Sequence, residues 1–406
     1  MSVLFPILFV GLSSCSGDLP VQGFNPDDGF DPDNKGSISN VVIGTMQEVA
    51  FSDTTTVTGR SPFLLLGAFQ DIETRILMKF EDIPDSMIIR TATILLRTNA
   101  LLGETNTKGR FTATVHNVMS DWGDSTVTDE SFGDAYEASS IGSVEMLSVD
   151  RGVAGIDSVD VETVRIELNE MGLDAIRDTT SLFRQHGVLI DFENSTFIKE
   201  FFSQNNQSRL PQLLLTVDGD SIASDRVFVD VAEDAFIVKQ LVGLPQGPLY
   251  VDNIFSHQFV IKFDLSNIPR ESTINKAKLD FNVIPELSVL PGHTLSSTDG
   301  ITVQINRLQE TYNPANTIRI DSTFTPILAV VNPSDASLSL PRIEFTALFR
   351  LLFQQWVSQD VENHGFVMRT FTPGFNVSRV AFGSTVNGSE SGPKLELDFT
   401  VAPTNP

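Results

Sequence analysis

The sequence predicts an all-β fold of two tandem β-sandwich domains, jelly-roll-like in type, each with one short helix. Short segments alternate apolar with polar or β-branched residues, and clusters of Gly, Pro, Asn and Ser separate them, a pattern typical of sandwich strands. The same order of segments occurs twice along the chain. With 406 residues, the chain is long enough for each copy to bury a core of its own.

The repeat gives the order of the elements. Residues 77–80 and 260–263 read as one strand in two copies, and each copy is followed by an Ile-Pro pair. The other matched segments are 91–97 with 276–282, 114–118 with 304–308, 165–168 with 342–345, 186–187 with 364–365, and 211–215 with 393–397. Matched numbers differ by 183 at Lys79 and Lys262 and by 178 at the two His-Gly pairs, so the insertions between copies fall in loops.

Alternation along the first matched strand defines its two faces. Ile76 and Met78 share the face that is predicted to enter the core, whereas Arg75 and Lys79 share the other face. The second copy repeats this pattern and places Lys262 on its outer face. The strand is therefore predicted to have an apolar inner face and a mixed outer face in both domains.

One helix is predicted in each half, at residues 170–185 and 347–357. In the second helix, leucines and Trp356 recur every three to four residues, which predicts an apolar stripe with Trp356 in the core. A His-Gly pair follows each helix. This pair is interpreted as a helix stop in which Gly adopts the left-handed conformation, and neither histidine is interpreted as catalytic.

The composition divides the chain into four segments. Residues 1–15 are predicted to be a lipoprotein signal peptide. Residues 16–40 are rich in Gly, Pro, Asp and Asn and are predicted to be a flexible acidic linker. Residues 41–218 and 225–402 are predicted to be the two β-sandwich domains.

The first fifteen residues resemble a bacterial lipobox, since an apolar run leads into Leu12-Ser13-Ser14-Cys15. In that family of signals the cysteine sulfur receives a diacylglycerol, so Cys15 is the predicted lipidation site. The resemblance implies a protein of the bacterial cell envelope that is lipid-anchored and exposed on the outer membrane. No Lys or Arg precedes Cys15, unlike the usual export signal, and the alternatives are a buried strand or a signal without lipid. Cys15 is the only cysteine, so no disulfide is expected.

The net charge of −25 restricts the partners of this chain. A strongly acidic surface repels the phosphates of nucleic acid and the anionic head groups of lipids. Nucleic acid is therefore not an expected partner, and contact with a membrane is expected only through the lipid anchor.

Several of these segments together resemble the DNRLRE domain. They are residues 262–269 (KFDLSNIP), the shorter copy at 79–84, the aromatic at Trp122 or Tyr312, the His-Gly turn and the closing strand that begins with Pro. The resemblance covers most of the chain from residue 44 to residue 401 in two copies. It implies extracellular β-sandwich modules, of which some bind acidic polysaccharides.

The candidate ligand-binding residues are the outward cations and two aromatics. Arg75, Lys79 and Lys262 are cations in an acidic protein and are able to bind the carboxylate of a uronic acid. Trp122 and Tyr312 are candidates for stacking on sugar rings. Two alternatives stay open, namely that the cations pair with neighbouring acids across strands and that the aromatics pack in a core.

No motif indicates enzyme chemistry. The sequence has no Gly-x-Ser-x-Gly elbow, no phosphate-binding glycine loop and no histidine pair at metal-ligand spacing. Neither a cofactor nor a metal site is therefore expected, although Asp121, Asp124 and Asp129 leave a structural calcium open.

These observations predict a non-catalytic cell-surface lipoprotein that binds an extracellular polysaccharide through tandem β-sandwich modules. The expected partners are accordingly a polysaccharide or another surface protein. One alternative is a structural or assembly protein of a bacterial surface complex with no glycan ligand, in which open strand edges are the working surfaces. Another alternative is a lyase or hydrolase that degrades polysaccharide, because so many acidic residues leave a carboxylate pair open.

Overall fold

The computed structural model describes residues 37–52, 57–103, 109–148, 162–218, 225–289, 301–331, 337–340, 346–385 and 391–401. Most of these residues lie in strands, so the prediction of an all-β fold is confirmed. The earlier strands are β1 Ser37–Ser52, β2 Phe63–Phe69, β3 Ile72–Phe80, β4 Ile89–Gly103, β5 Arg110–Asn117, β6 Gly142–Leu147, β7 Thr163–Glu167, β8 Val188–Glu193, β9 Phe197–Phe202 and β10 Gln212–Val217. The later strands are β11 Asp225–Gln240, β12 Leu249–Asp252, β13 His257–Phe263, β14 Thr273–Asn282, β15 Ile301–Arg307, β16 Ile327–Val331, β17 Ser337–Leu340, β18 Phe366–Thr370, β19 Arg379–Phe382 and β20 Lys394–Val401.

The two longest strands, β1 and β11, are exchanged between the two copies of the repeat. β1 pairs with β20 and then with β13, which both belong to the later copy. β11 pairs with β10 and then with β3, which both belong to the earlier copy. Each has 16 residues, and each has a register shift where it passes from one partner to the next, between Thr45 and Gln47 or between Val231 and Glu233.

This exchange crosses the predicted domain boundaries. We call β2–β10 with β11 the first half, and β12–β20 with β1 the second half. The predicted ranges 41–218 and 225–402 each include a strand that pairs with the other range. Residues 37–40, which were assigned to the linker, belong to β1. The rest of the linker and the predicted signal peptide with Cys15 lie outside the described residues.

Strands in matching positions of the two halves have matching partners. β3 lies between β11 and β8 as β13 lies between β1 and β18, and β4 and β14 pair with β10 and β20. In each half, side chains from the sheet of β10 or β20 and from the sheet of β3 or β13 share one apolar core. The jelly-roll-like connectivity of the halves stays a prediction.

The helices differ from the prediction in number and extent. They are α1 Asp129–Phe132, α2 Glu170–Arg177, α3 Leu182–His186 and α4 Thr346–Val357, with a 3₁₀ turn at Pro285–Leu287. α4 matches the prediction, and Trp356 is buried as expected. The single helix predicted at 170–185 is instead two, because the Asp178 carboxylate accepts hydrogen bonds from the backbone N–H and hydroxyl of Thr180 and ends the first helix. Ser181 then caps the second helix.

The His-Gly pairs play a different part from the predicted helix stop. Gly187 does follow the last residue of α3, but α4 ends seven residues before His364. Both glycines have positive φ, +77° at Gly187 and +86° at Gly365. Both also lie against the backbone of a neighbouring strand, at Met78 and Ile261 respectively. The repeated glycine therefore permits close backbone approach in both halves.

The halves also make direct contact. The Asp71 carboxylate, in the turn between β2 and β3, accepts two hydrogen bonds of 2.9 Å from the guanidinium of Arg379 on β19. Ile254, Val289 and Val377 of the second half belong to the apolar core of the first half. A buried ion pair and apolar packing thus join the two halves.

Each exchanged strand carries a carboxylate at a matching position that binds a loop of its host half. Glu48 on β1 accepts hydrogen bonds from the backbone N–H and hydroxyl of Thr385, at 2.9 Å and 2.8 Å. Asp234 on β11 accepts a hydrogen bond of 2.7 Å from the backbone N–H of Gln204. Asp234 is buried, and burial raises its pKa to about 7.

Asp234→Asn is expected to remove a pH dependence of stability. A carboxyl whose pKa rises on folding keeps its proton in the folded chain at a pH where the unfolded chain has lost it. The free energy of unfolding therefore falls between the ordinary pKa of 3.8 and about 7. At pH 8 the variant should be more stable than the wild type, by up to about 4 kcal/mol on the scale of 1.4 kcal/mol for each pKa unit. Urea unfolding from pH 4 to 8 measures this, and parallel curves for both proteins would contradict it.

Candidate functional site

The two predicted cations of the first half are both engaged in ion pairs. Arg75 Nη2 lies 2.8 Å from Asp129 Oδ1. Lys79 Nζ lies 3.0 Å from Glu233 Oε2 and 3.1 Å from Asp121 Oδ1, and it also lies 4.8 Å from the centre of the Trp122 ring. Both side chains are mostly buried by these partners. They therefore follow the alternative interpretation, in which the cations pair with neighbouring acids.

The two predicted aromatics, Trp122 and Tyr312, pack against other side chains of the protein. Trp122 is 8% exposed, and its Nε1 donates a 2.8 Å hydrogen bond to the carbonyl of His186. Tyr312 stacks on Phe51 with ring centres 4.9 Å apart and packs against the buried Val260. Trp122 therefore follows the second alternative, core packing, whereas Tyr312 is only partly buried, and its role as a sugar-stacking residue stays a prediction.

The three aspartates that left a calcium site open have separate partners. Asp121 pairs with Lys79, Asp129 pairs with Arg75, and Asp124 accepts a hydrogen bond from Gln204. In the described part of the chain, no group of three or more His, Cys, Asp or Glu side chains is close enough to hold a metal ion.

Lys262 differs from its counterpart Lys79 because both acidic partners are replaced. Thr311 stands next to Tyr312 where Asp121 stands next to Trp122, and Gln47 lies opposite Lys262 where Glu233 lies opposite Lys79. No ion pair to Lys262 is found among the described residues. It lines an open pocket of about 690 Å³ whose rim also carries acidic side chains.

A second pocket of the same half brings together polar groups that the sequence did not single out. It has a volume of about 310 Å³ and lies at the beginning of β13 and the end of β18. Gln304 on β15 and Arg369 on β18 are directly opposite each other in the sheet. Its lining includes Asp252, His257, Gln258, Gln304, Arg369 and Phe371. We call this site the Arg369 pocket.

The guanidinium of Arg369 is half-buried and has no acidic partner among the residues that the structure describes. Its Nε is buried and makes no hydrogen bond. Burial lowers the pKa of Arg369, and no carboxylate in the described ranges opposes this effect. A cation that has lost water without gaining an anion is costly to hold, which indicates a site that an anion completes.

The imidazole of His257 is held in a fixed orientation beside this pocket. Its Nδ1 contacts Oδ2 of the buried Asp252, whose Oδ1 accepts hydrogen bonds from the backbone N–H groups of Ile254 and Phe255, at 3.1 Å and 2.7 Å. A carboxylate in this position sets the tautomer and the ring plane of the histidine. Nε2 is left as the polar ring atom available to a ligand.

In the first half, the surface that corresponds to the Arg369 pocket is covered by side chains of the protein itself. The repeat aligns Arg369 with Asp191, since their numbers differ by 178 as those of the His-Gly pairs do, and it aligns Gln258 with Arg75. Asp191 accepts a hydrogen bond from the Tyr136 hydroxyl, and Arg75 pairs with Asp129 of α1. The charge at this position is thus reversed between the halves, and the corresponding surface in the second half is open as a pocket.

Comparison of the chain with family models, with curated proteins and with solved structures found no match. The resemblance to the DNRLRE domain therefore stays a prediction. Within the described ranges, no helix is both long enough and apolar enough to cross a membrane.

Proposed function

We propose that this protein is a non-catalytic surface lipoprotein that binds an acidic extracellular polysaccharide, and that the Arg369 pocket is its binding site. The observation that carries the proposal is the half-buried guanidinium, which has no acidic partner in the described part of a chain whose net charge is −25. Acids are abundant in this protein, and Lys79 alone has two. A pocket that leaves Arg369 unpaired is suited to an anion supplied by a ligand.

The polar groups of the pocket match a uronic acid. The planar guanidinium binds a carboxylate through two parallel hydrogen bonds, and hydrogen bonds to charged groups contribute about 1.5–3 kcal/mol each. The side-chain amides of Gln258 and Gln304 and the imidazole of His257 are suited to hydroxyl groups, to which each can donate or accept. Phe371 is half-exposed at the same site and offers an apolar surface to the face of a sugar ring.

The size of the pocket favours one or two sugar units of a polymer. Its volume of about 310 Å³ is at the lower end of small-molecule sites, and it is open to solvent. A polymer chain can therefore extend through the pocket while the carboxylate of one acidic sugar pairs with the Arg369 guanidinium. The lipid on Cys15, in this proposal, holds the protein at the outer membrane so that capture occurs at the cell surface.

Arg369→Gln is expected to weaken binding to an acidic polysaccharide. Polygalacturonate serves as the probe, and isothermal titration of the full chain measures the affinity. The substitution removes the cation and keeps a polar side chain, so a loss of at least about tenfold is expected from one charged hydrogen-bonded pair. Binding should also weaken with rising salt concentration.

Two controls separate this site from the cations that the sequence indicated. Arg75→Gln removes a cation from the matching surface of the first half. Because Arg75 is already paired with Asp129, this variant should leave the affinity for polygalacturonate unchanged. Polygalacturonate with its carboxylates reduced to alcohols should not bind. Equal binding of the reduced and the native polymer, or equal affinity of Arg369→Gln and the wild type, would refute the proposal.

A further inference from the structure

Residues 37–44 of β1 form an open edge of a sheet. Their backbone pairs with β20 on one side only, since pairing with β13 begins at Thr45. No other strand of the described residues lies on the free side. On this side, the backbone N–H and C=O groups of the edge therefore have no strand partner among the described residues.

The edge lacks the protection that sheet edges normally have. Residues 37–47 contain no charged side chain, and Ile38 and Val42 are 79% and 60% exposed. The matching edge of the first half, residues 225–230 of β11, carries Asp225, Arg226 and Asp230. Charges on an edge strand prevent pairing with another strand, and only one of these two matching edges has them.

The core beside this edge is incomplete. Val41 and Ile43 point to the core but are only partly buried. Val227, the counterpart of Val41 in the first half, is partly buried as well, whereas Val229, the counterpart of Ile43, is 5% exposed. An open pocket of about 310 Å³ lies along the edge between Val41, Ile43, Ile268 and other residues. An added strand would gain backbone hydrogen bonds and a pocket for alternate side chains, as in strand addition to other sheets.

We propose that residues 37–44 of a second copy occupy this edge, in an antiparallel pair with two-fold symmetry. Self-pairing is favoured by the charge distribution, because two uncharged edges meet without repulsion even though each chain carries −25. The charge of the nearest acids on β20 is partly offset, since Lys276 Nζ lies 3.0 Å from Glu396 and 4.0 Å from Asp398. In this arrangement the Val41 and Ile43 of each copy close the core of the other copy. The pairing is independent of the proposed sugar site.

Val42→Lys is the test of this pairing. Val42 is exposed, so lysine there leaves the monomer core untouched and places like charges together across the two-fold axis. Sedimentation of the full chain should show a dimer of the wild type, and the variant should raise the dissociation constant by at least about tenfold. Phe228→Lys is the matched control, because Phe228 is the exposed residue at the same position of β11 and its edge is already charged. It should leave the dimer unchanged.

Chemical cross-linking supplies a second measurement. In a Cys15→Ser background, Asn40→Cys should be joined to its counterpart by a short bis-maleimide, whereas Arg226→Cys on the other edge should not. A wild type that stays monomeric at about 1 mM would overturn the proposal. So would a dimer that Val42→Lys does not weaken, or equal cross-linking at both edges.

Discussion

Gly187→Ala and Gly365→Ala are each expected to destabilise the protein by about 3–5 kcal/mol, from backbone strain together with overpacking. A Cβ at Gly187 would lie 2.0 Å from the carbonyl oxygen of Met78, and one at Gly365 would lie 2.5 Å from that of Ile261. Neither oxygen belongs to a flexible side chain that can move away. Urea unfolding of each variant measures the loss.

The matched control for these two substitutions is Gly133→Ala. Gly133 also has a positive φ, +58°, but a Cβ there would meet no atom within 4 Å. It therefore carries only the strain of the backbone conformation, about 1–3 kcal/mol. If all three variants lost the same stability, strain alone would account for the effect and the close strand approach would carry no cost.

The two glycines explain why a short motif survives in both copies of the repeat. Gly187 precedes β8, which pairs with β3, and Gly365 precedes β18, which pairs with β13. In each case the chain enters the sheet so close to the neighbouring strand that no side chain fits. The helix-stop interpretation was plausible because a left-handed glycine serves both purposes, and sequence spacing does not distinguish them.

Local alternation was sufficient to predict strands and their faces. Ile76 and Met78 are buried as predicted, and the matched segments at 211–215 and 393–397 lie in the matching strands β10 and β20. The exchange of β1 and β11 was not predictable from the same pattern. The two strands place matching residues opposite matching partners, Thr45 opposite Phe263 and Val231 opposite Phe80. Either assignment therefore satisfies the same local contacts.

The site was harder to predict than the fold, because sequence shows a charge but not its partner. Arg75 and Lys79 were conspicuous as cations in an acidic chain, yet abundant acids are also what pairs with them. The useful signal was a difference between the copies. Arg369 matches Asp191 in the repeat, and this reversal of charge marks a position where the described residues of the second half lack the internal pair of the first.

Exchange also gives a physical reason for the two halves to unfold together. Each half lacks a strand that the other supplies, so neither sequence range can complete its own sheet. The bridge between Asp71 and Arg379 lies outside the exchanged strands and adds a separate link. A weakened bridge should therefore lower the stability of the whole chain rather than that of one half.

Asp71→Asn is expected to destabilise the protein by about 3–5 kcal/mol at neutral pH, because it leaves the Arg379 guanidinium buried without its anion. The two side chains are only 17% and 5% exposed. Asp174→Asn is the matched control. Asp174 pairs with Arg177 on the surface, where such pairs contribute about 0–1 kcal/mol. Urea unfolding compares the two variants, and equal losses would show that burial of the bridge is immaterial.

The same bridge predicts a pH dependence with a defined sign. Burial by itself raises the pKa of Asp71, but the hydrogen bonds and charge of Arg379 outweigh it and hold the pKa below its ordinary value of 3.8. A carboxyl with a lowered pKa contributes its stability above the unfolded value and loses it as the pH falls through the folded value. The unfolding free energies of the wild type and Asp71→Asn should therefore differ at pH 7 and converge below pH 3.8. If the difference in unfolding free energy between the two proteins stayed constant down to low pH, the amide in Asp71→Asn would act through its shape and not through loss of the Asp71 charge.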